Sequence, residues 1–437
     1  MAEAVAPAGN PNKTFLITDG ASLKAQLRRA NRRNRLNAFL LTAPLLVFLL
    51  ATFILPIAMM LFRAVDDPLV GEALPRTTAT LVDWDAAALP EEATYAALVE
   101  DLRALRDGGT DGRAMIGRVA TRLNFEDAGV RSAITSTARK AEDMQPPYKE
   151  ALIEADDEWG KPTIWATIKR LSPNYTTVHF LAAVDLRYNV AGEIVPQPEE
   201  RQVYIGIWLR TLMISLVVTL ACVALGYPVA YLLATLPMRT SNLLMILVLL
   251  PFWTSLLVRT TSWIVVLGQN GVLLETVAFI SNLLESVGLP ELMGDQRPRL
   301  IYNMTGSIVA MTHILLPFMI LPLYSVMRGI SPSYMRAAQN LGATPATAFL
   351  RVYMPQTVPG LGAGCVLVFI LAIGYYITPA LVGGEDGTMI SNFIAHHMQK
   401  SLNWGMAAAL GTILLAGVMA LYWVYDRIVG INNMKLG

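Results

Sequence analysis

The sequence predicts an all-α polytopic membrane protein, with six transmembrane helices and a mostly helical extracytoplasmic insert between the first two. Three observations carry this reading. The 437 residues are 54% hydrophobic with a mean hydropathy of +0.46, a composition natural to a chain that crosses a membrane repeatedly. Six apolar runs are long enough to cross ~30 Å of hydrocarbon, which takes about 20 helical residues each. The net charge of +1 hides a basic arm, with Lys24, Arg28, Arg29, Arg32, Arg33 and Arg35 immediately ahead of the first run. Unbroken apolar runs, without strand-like alternation, exclude an outer-membrane barrel.

Residues 1–35 form the basic arm, and positive charge beside a first span places it in the cytoplasm. The first run, 36–62, is too long and too far from the terminus for an ordinary cleaved signal peptide. The other runs are 204–236, 243–267, 301–327, 358–382 and 406–429, which together make residues 204–437 a five-helix core. Counting outward leaves the 237–242 turn and the 328–357 loop inside. Arg239, Arg328, Arg336 and Arg351 in those segments agree, as do Arg427 and Lys435 near the end. Both termini are therefore expected in the cytoplasm.

Residues 63–203 form the insert, and over 66–203 acidic residues exceed basic ones by about nine. Leu98, Leu102 and Leu105 recur at helical spacing behind Pro90 and Glu91, up to Gly108 and Gly109. Further helices are predicted over 113–123, 127–142, 147–158 and 162–171. The segment after Asp185 reads as extended, with Gly192 as a turn. An acidic surface of this kind is a solvated face or an attraction for cations or a partner protein.

Chemistry-bearing motifs are few. No GxxxxGK[ST], HExxH, CxxC or GxSxG run occurs, so neither nucleotide binding by the usual loop nor a metal or hydrolase centre is expected. Cys222 and Cys365 both lie in apolar spans. Adjacent His396 and His397 would point about 100° apart on a helix, unsuited to a shared metal, and read as surface residues of an outer loop. His313, in the fourth run, reads as a hydrogen-bonded packing residue. The span interiors hold almost no carboxylates, which ion-driven carriers place at mid-membrane, so energy for uphill transport must come from a partner.

The 328–357 loop supplies a docking element for such a partner. The stretch 336–355, RAAQNLGATPATAFLRVYMP, reads as two short capped helices. Ser331 and Pro332 open the first and Gly342 follows its end; Thr344 and Pro345 open the second, which Pro355 and Pro359 close. Aromatics cluster elsewhere. Trp253 and Trp263 flank Thr254, Arg259 and Thr260 in the third run, Tyr227 and Tyr231 lie in the second, and Tyr375 and Tyr376 precede Thr378 in the fifth. Ring faces attract alkylammonium groups by about 0.5–2 kcal/mol each; packing and interfacial anchoring are the alternative roles. Arg259, ~24 Å along its run, is expected to reach the outer headgroups or to pair with Glu275.

The spacing of the 336–355 stretch resembles the EAA loop of ABC importer permeases: E-A-A, three residues, Gly, nine residues, I-x-L-P. Ala337, Ala338, Gly342, Val352, Met354 and Pro355 fall on that pattern. Arg336 stands where the pattern has Glu, so the ion pairing of that Glu does not carry over. PFWTSLLVRTTSW (251–263), YYITPALVGG (375–384) and NWGMAAAL (403–410) are similar to permeases of the spermidine/putrescine class. The resemblance implies a non-enzymatic transport subunit without a cofactor of its own. It also implies a dimeric ABC ATPase carrying ATP and Mg on the 332–355 region, a second permease subunit and an extracytoplasmic solute-binding protein. A polyamine is the implied cargo, with another amine, a betaine or an amino acid as alternatives. The insert exceeds the short outer loop of that class. A membrane sensor would share the span–insert–span layout, yet four further spans and no long cytoplasmic signalling domain follow; a membrane enzyme lacks an acid/base or metal set, and no nucleic-acid partner is implied.

Overall fold

The computed structural model describes residues 20–86, 88–286 and 299–429. Residues 1–19 of the basic arm and Lys435 lie outside the described residues. The chain divides into two units, Met1–Met60 and Leu61–Gly437. Six helices are long and apolar enough to cross a membrane: Arg35–Phe62, Tyr204–Thr235, Leu256–Ser281, Met304–Gly329, Pro345–Ile373 and Trp404–Arg427.

The first unit is a helix from Gly20 to Leu49, continued through a π-helical turn, Leu50–Ile54. That turn comes just before Pro56, whose ring obstructs the carbonyl of Thr52 and whose nitrogen cannot donate. Widening one turn accommodates the proline without ending the helix. Thr42 and Thr52 return their hydroxyls to carbonyls of the preceding turn, Thr52 to Phe48 at 2.7 Å.

In the second unit, the helices Tyr204–Thr235, Met304–Gly329 and Met354–Ile373 pack around one apolar core that includes Val218, Cys222, Met319, Leu323 and Val368. Gly364 sits against the Met319 backbone and sulfur, so a side chain there would hold the two helices apart.

The insert has its own core. Helices Glu92–Asp107, Gly109–Glu126, Val130–Lys140, Tyr148–Ala155 and Pro162–Arg170 overlap the predicted stretches. They close over the fully buried Tyr95, Trp159 and Trp165. Each ring's polar atom is satisfied: Tyr95 Oη and Trp165 Nε1 donate to the Trp159 carbonyl at 3.0 and 3.1 Å, and Trp159 Nε1 to Thr137 Oγ1 at 2.8 Å. The extended segment is an antiparallel hairpin, Leu186–Tyr188 with Ile194–Pro196, turning at Gly192.

The insert is tied to the helices below it by a carboxylate. Asp185 is buried and accepts from the backbone N–H groups of Val203, Tyr204 and Ile205 at 3.1, 3.0 and 2.7 Å. It thereby caps the N-terminus of the Tyr204–Thr235 helix, where N–H groups lack intrahelical partners and the helix dipole favours negative charge. Trp208 Nε1 adds a bond to the Ala183 carbonyl at 3.0 Å.

Two expectations need correction. The apolar run 243–267 is not one helix: Met238–Leu249 ends in a 3₁₀ turn, Leu250–Trp253, and a new helix, Leu256–Leu267, begins behind Ser255. Pro251 withholds a donor, and Ser255 Oγ accepts from Val258 N at 3.2 Å as a fresh N-cap. Nor do Pro355 and Pro359 close a short helix. A second π-helical turn, Phe349–Tyr353, precedes Pro355, and the helix runs unbroken from Pro345 to Ile373. Gln356 Nε2 satisfies the Val352 carbonyl at 2.7 Å, while Thr357 Oγ1 donates to Met354 O at 2.7 Å. The fifth run breaks instead at Gly374–Tyr376, before a short helix Ile377–Val382.

Trp165→Ala should destabilise the insert by about 3–5 kcal/mol, as loss of a large core aromatic does. Protease nicking within residues 92–170 should rise, while detergent-extracted yield stays near wild type. An unchanged digestion pattern would contradict this core.

Candidate functional site

The loop after Met304–Gly329 projects a helical hairpin. Helix Ser333–Asn340 carries Arg336, Ala337 and Ala338, and ends at Leu341. Its start is weakly capped, since Ser331 Oγ accepts from Ser333 N only at 3.4 Å. Gly342 follows with φ +89°, and its N–H donates to the Gln339 carbonyl at 2.9 Å. Thr344 caps the next helix, accepting from Thr347 N at 3.2 Å with Pro345 at the first turn. The hairpin's tip is apolar and open: Leu341 is 89% exposed, and Tyr334, Leu350 and Met354 are also exposed. Arg336 is exposed with no carboxylate at ion-pairing distance among the described residues, and Pro355 is exposed with Val352 half-buried behind it.

The second cluster forms around the break in the third run. Arg259 neither reaches outward nor pairs with Glu275. Its guanidinium folds back onto the unwound segment and donates to the carbonyls of Pro251 and Thr254, the latter at 3.0 Å. Those carbonyls end the Met238–Trp253 helix; Pro251 O also accepts from Thr254 N at 3.3 Å, and a cation at this end complements the helix dipole. Thr254 Oγ1 donates to Pro251 O at 2.9 Å. Trp253 beside them is 87% exposed.

Around this break, Trp263 donates from Nε1 to His313 Nδ1 at 3.2 Å, their rings crossing at 67°. His313 is hydrogen-bonded as read from the sequence, but it is exposed on this chain and not packed in a core. Arg259 lies within electrostatic reach of both His313 and Tyr375. Thr378 is fully buried, its hydroxyl 3.2 Å from that of Thr260, which joins helix Ile377–Val382 to helix Leu256–Leu267. Tyr376 stays partly exposed beside the second break. The structure thus gathers Thr254, Arg259, Trp263 and Tyr375 near one another, with Thr378 buried against Thr260 and Tyr375. Tyr227 and Tyr231 turn away to Phe349, at 6.3 and 5.4 Å between ring centres, in the base of the hairpin.

Residues 223–430 match the family described as binding-protein-dependent transport system inner membrane component. The spermidine/putrescine transport system permease protein PotB of Escherichia coli (strain K12) is 33% identical over 228 residues, spanning 52% of this chain and 79% of that protein. PotB of Haemophilus influenzae is 33% identical over 230 residues, 53% of this chain and 76% of that protein. A solved bacterial alginate ABC transporter, in complex with an alginate-bound periplasmic protein, superposes with TM-score 0.41 at 18% identity, covering 55% of this chain and 82% of that one. The chain belongs to the binding-protein-dependent permease family. It is an ABC importer permease subunit, a multi-pass inner-membrane transport component and not an enzyme.

Sequence reasoning missed three ties in this permease. The Asp185 cap acts across 18 to 20 residues, so no local spacing announces it. Arg210 donates to the Glu385 carbonyl at 2.9 Å, closing the 383–389 loop onto the second span. His397 is half-buried in helix Ile390–Gln399 and not a surface residue, bonding Tyr204 Oη and Ser401 Oγ at 2.9 Å each. Burial, with His396 and His179 nearby, pushes its pKa down to about 4, so the ring is neutral at pH 7 and can accept from one hydroxyl while donating to the other.

Arg259→Met should lower the melting temperature of the detergent-solubilised permease, because the Thr254 carbonyl loses its donor, at a cost of about 1–3 kcal/mol, and Pro251 O loses one of its donors. Arg259→Gln, which keeps a donor, should recover part of the loss. A Met variant that melts with wild type would mean water serves those carbonyls equally well.

Proposed function

We propose that this permease carries a polyamine of the putrescine/spermidine type inward, delivered by a solute-binding protein and driven by a separate ABC ATPase. The observation that carries the cargo is the 33% identity to spermidine/putrescine permeases over 79% of their length. The observation that supports coupling is the capped hairpin with its open apolar tip. A dimeric ATPase holding ATP and Mg docks on residues 332–355, with Arg336, Ala337, Ala338, Gly342, Val352, Met354 and Pro355 at the contact. A second, similar permease completes a heterodimeric pore. The termini and the 328–357 loop face the cytoplasm, and the insert faces outward.

The break in the third run supports a path on this side of the molecule. Irregular backbone at membrane depth is tolerated only where protein covers it or where it lines a cavity. Leu250, Phe252, Trp253 and Thr254 are exposed on this chain, so the second permease or the path itself covers them. Trp253, Trp263, Tyr375 and Tyr376 present ring faces that replace part of the water shed by ammonium groups. Thr254 contributes an oxygen, and the charge of Arg259 is partly offset by the carbonyls it binds.

Gly342→Val should uncouple transport without a clash. A Cβ at Gly342 meets nothing within 4 Å. Its cost is the left-handed backbone itself, of order 1 kcal/mol or more. In proteoliposomes with the partner ATPase, substrate-stimulated hydrolysis and uptake should both fall, and Gly342→Asn, which tolerates that backbone, should recover most of each. Full stimulation in the Val variant would remove Gly342 from coupling.

Uptake of labelled putrescine should be competed by spermidine and unlabelled putrescine, and Trp263→Ala should impair it. Competition by an anionic or zwitterionic solute alone would overturn the polyamine reading and make Arg259 a carboxylate contact.

A further inference from the structure

A cavity of about 780 Å³ opens where the insert meets the segment leading into the last span, remote in sequence from the coupling hairpin and the broken helices. Arg63, which directly follows the first span, and Trp404, which opens the last, both line it, so it lies at the level of a membrane surface. Although the insert carries an acidic surplus, four arginines gather here, Arg63, Arg118, Arg122 and Arg131, against Asp66 and Asp67.

One face of helix Gly109–Glu126 builds the wall. Ala114, Gly117, Arg118, Thr121, Arg122 and Phe125 recur at helical spacing, with small residues leaving room between the arginines. Arg122 is buried, its side chain 7% exposed. It donates from Nε to Asp67 and from Nη1 to Glu126 at 2.9 Å, while Nη2 has no hydrogen-bond partner. A buried guanidinium nitrogen left unpaired is unusual and marks a place where an acceptor is wanted. Burial works against the Asp67 carboxyl, but His179 at 3.8 Å and the Arg122 guanidinium outweigh it and hold Asp67 below its usual range. Asp67 is thus an ionised partner committed to Arg122. Among the described residues, no carboxylate lies within ion-pairing distance of Arg63, Arg118 or Arg131.

The rim is suited to lipid. Tyr175, 66% exposed, packs edge-on against Phe62 at the end of the first span. Leu402 is exposed, and Trp404 is partly exposed beneath the Arg63 guanidinium, 5.9 Å from its ring centre. Amphipathic rings and arginines together mark the headgroup level of a bilayer. Guanidinium forks match phosphate oxygens, whose geometry they bind in bidentate fashion.

We propose that this cavity binds the phosphate headgroup of an anionic phospholipid, which fastens the insert to the membrane surface. Arg63, Arg118 and Arg131 grip the phosphate, and Arg122, positioned by Asp67 and Glu126, forms the floor. Lipid is favoured over an acidic protein surface because the opening lies between span ends and is rimmed by apolar side chains.

The test uses the full-length permease in detergent, titrated with phosphatidylglycerol or phosphatidylcholine and read by native mass spectrometry. Wild type should bind one phosphatidylglycerol about tenfold more tightly than phosphatidylcholine, the scale expected of charge-assisted phosphate contacts. Arg63→Gln with Arg118→Gln and Arg131→Gln should erase that preference; Arg113→Gln with Arg187→Gln, both outside the cavity, should leave it. Arg118→Gln alone, on an exposed helix face, should weaken it in the same direction should the triple variant fail to fold. Equal retention of the two lipids, or a preference surviving the triple variant, would overturn the site. Displacement of the lipid by equimolar inorganic phosphate would make free phosphate the ligand. Loss of solute-binding-protein docking in the triple variant with lipid retention intact would assign the arginines to that protein.

Discussion

A backbone carbonyl or N–H in hydrocarbon has no water to turn to, and an unpaired one costs several kcal/mol. The departures from regular helix in this permease are arranged around that constraint. Before Pro56 and before Pro355, a π-helical turn takes up the proline without ending the helix. Gln356 and Thr357 then occupy nearby carbonyls with their own side chains. At Leu250–Ser255, where the helix does end, Arg259 and Thr254 serve the freed carbonyls and Ser255 starts the next helix. Pro228, Pro317 and Pro322 stay inside regular α-helix, whereas Pro56 and Pro355 follow a widened turn and Pro251 lies where the helix breaks.

The same constraint governs how the insert joins the permease core. The helix Tyr204–Thr235 begins with three N–H groups that need acceptors at the edge of the membrane, and Asp185 supplies them from the insert. A water-facing Asn or Ser could have done so locally. Placing the acceptor 18 residues upstream makes the insert part of the helix's own termination, so the two cannot separate without exposing that helix end. Ala64, Ala183, Ile207, Ile390 and Met406 fill a small apolar core at the same junction. Gly405 lets the buried His179 ring of the insert lie against the last span's backbone, where any side chain would collide with it. Motion of the second or last span during transport would therefore carry the insert with it.

Much of this was legible in the residues because it depends on local rules. Pro90–Glu91, the Leu98–Leu102–Leu105 spacing and Gly108 bracket a helix observed at Glu92–Asp107. Gly342 takes the left-handed backbone its place between two helix signals requires, with φ +89°. Hydropathy alone misled where interruptions are apolar. Leu250–Trp253 reads as hydrocarbon-compatible, and only Pro251 with Ser255 hints that the run is two helices. Conversely, Pro355 and Pro359 look like stops, because propensity counts the missing donor and not the π-helical turn that absorbs it. The long-range ties, Asp185 to Tyr204 and His397 to Tyr204, leave no spacing pattern to read.

On the proposed path through the broken third run, the position of Arg259 bears on what can pass beside it. A guanidinium free to face a polyamine would repel each ammonium group, by about 1 kcal/mol at 4 Å in water and more in a drier path. Here its Nη2 is held by two carbonyls at the end of the Met238–Trp253 helix, the negative pole of that helix. The helix end offsets part of the charge, and the ring of Trp263 stays within reach of the same region through His313. A cation approaching the break then meets an aromatic face and a half-compensated arginine, in place of a bare one. An anion would meet the opposite arrangement, with carbonyl oxygens at the break and the guanidinium already donating to them. The fold of the guanidinium onto the broken helix, more than the count of aromatic rings, is what makes a cationic cargo compatible with an arginine at this point.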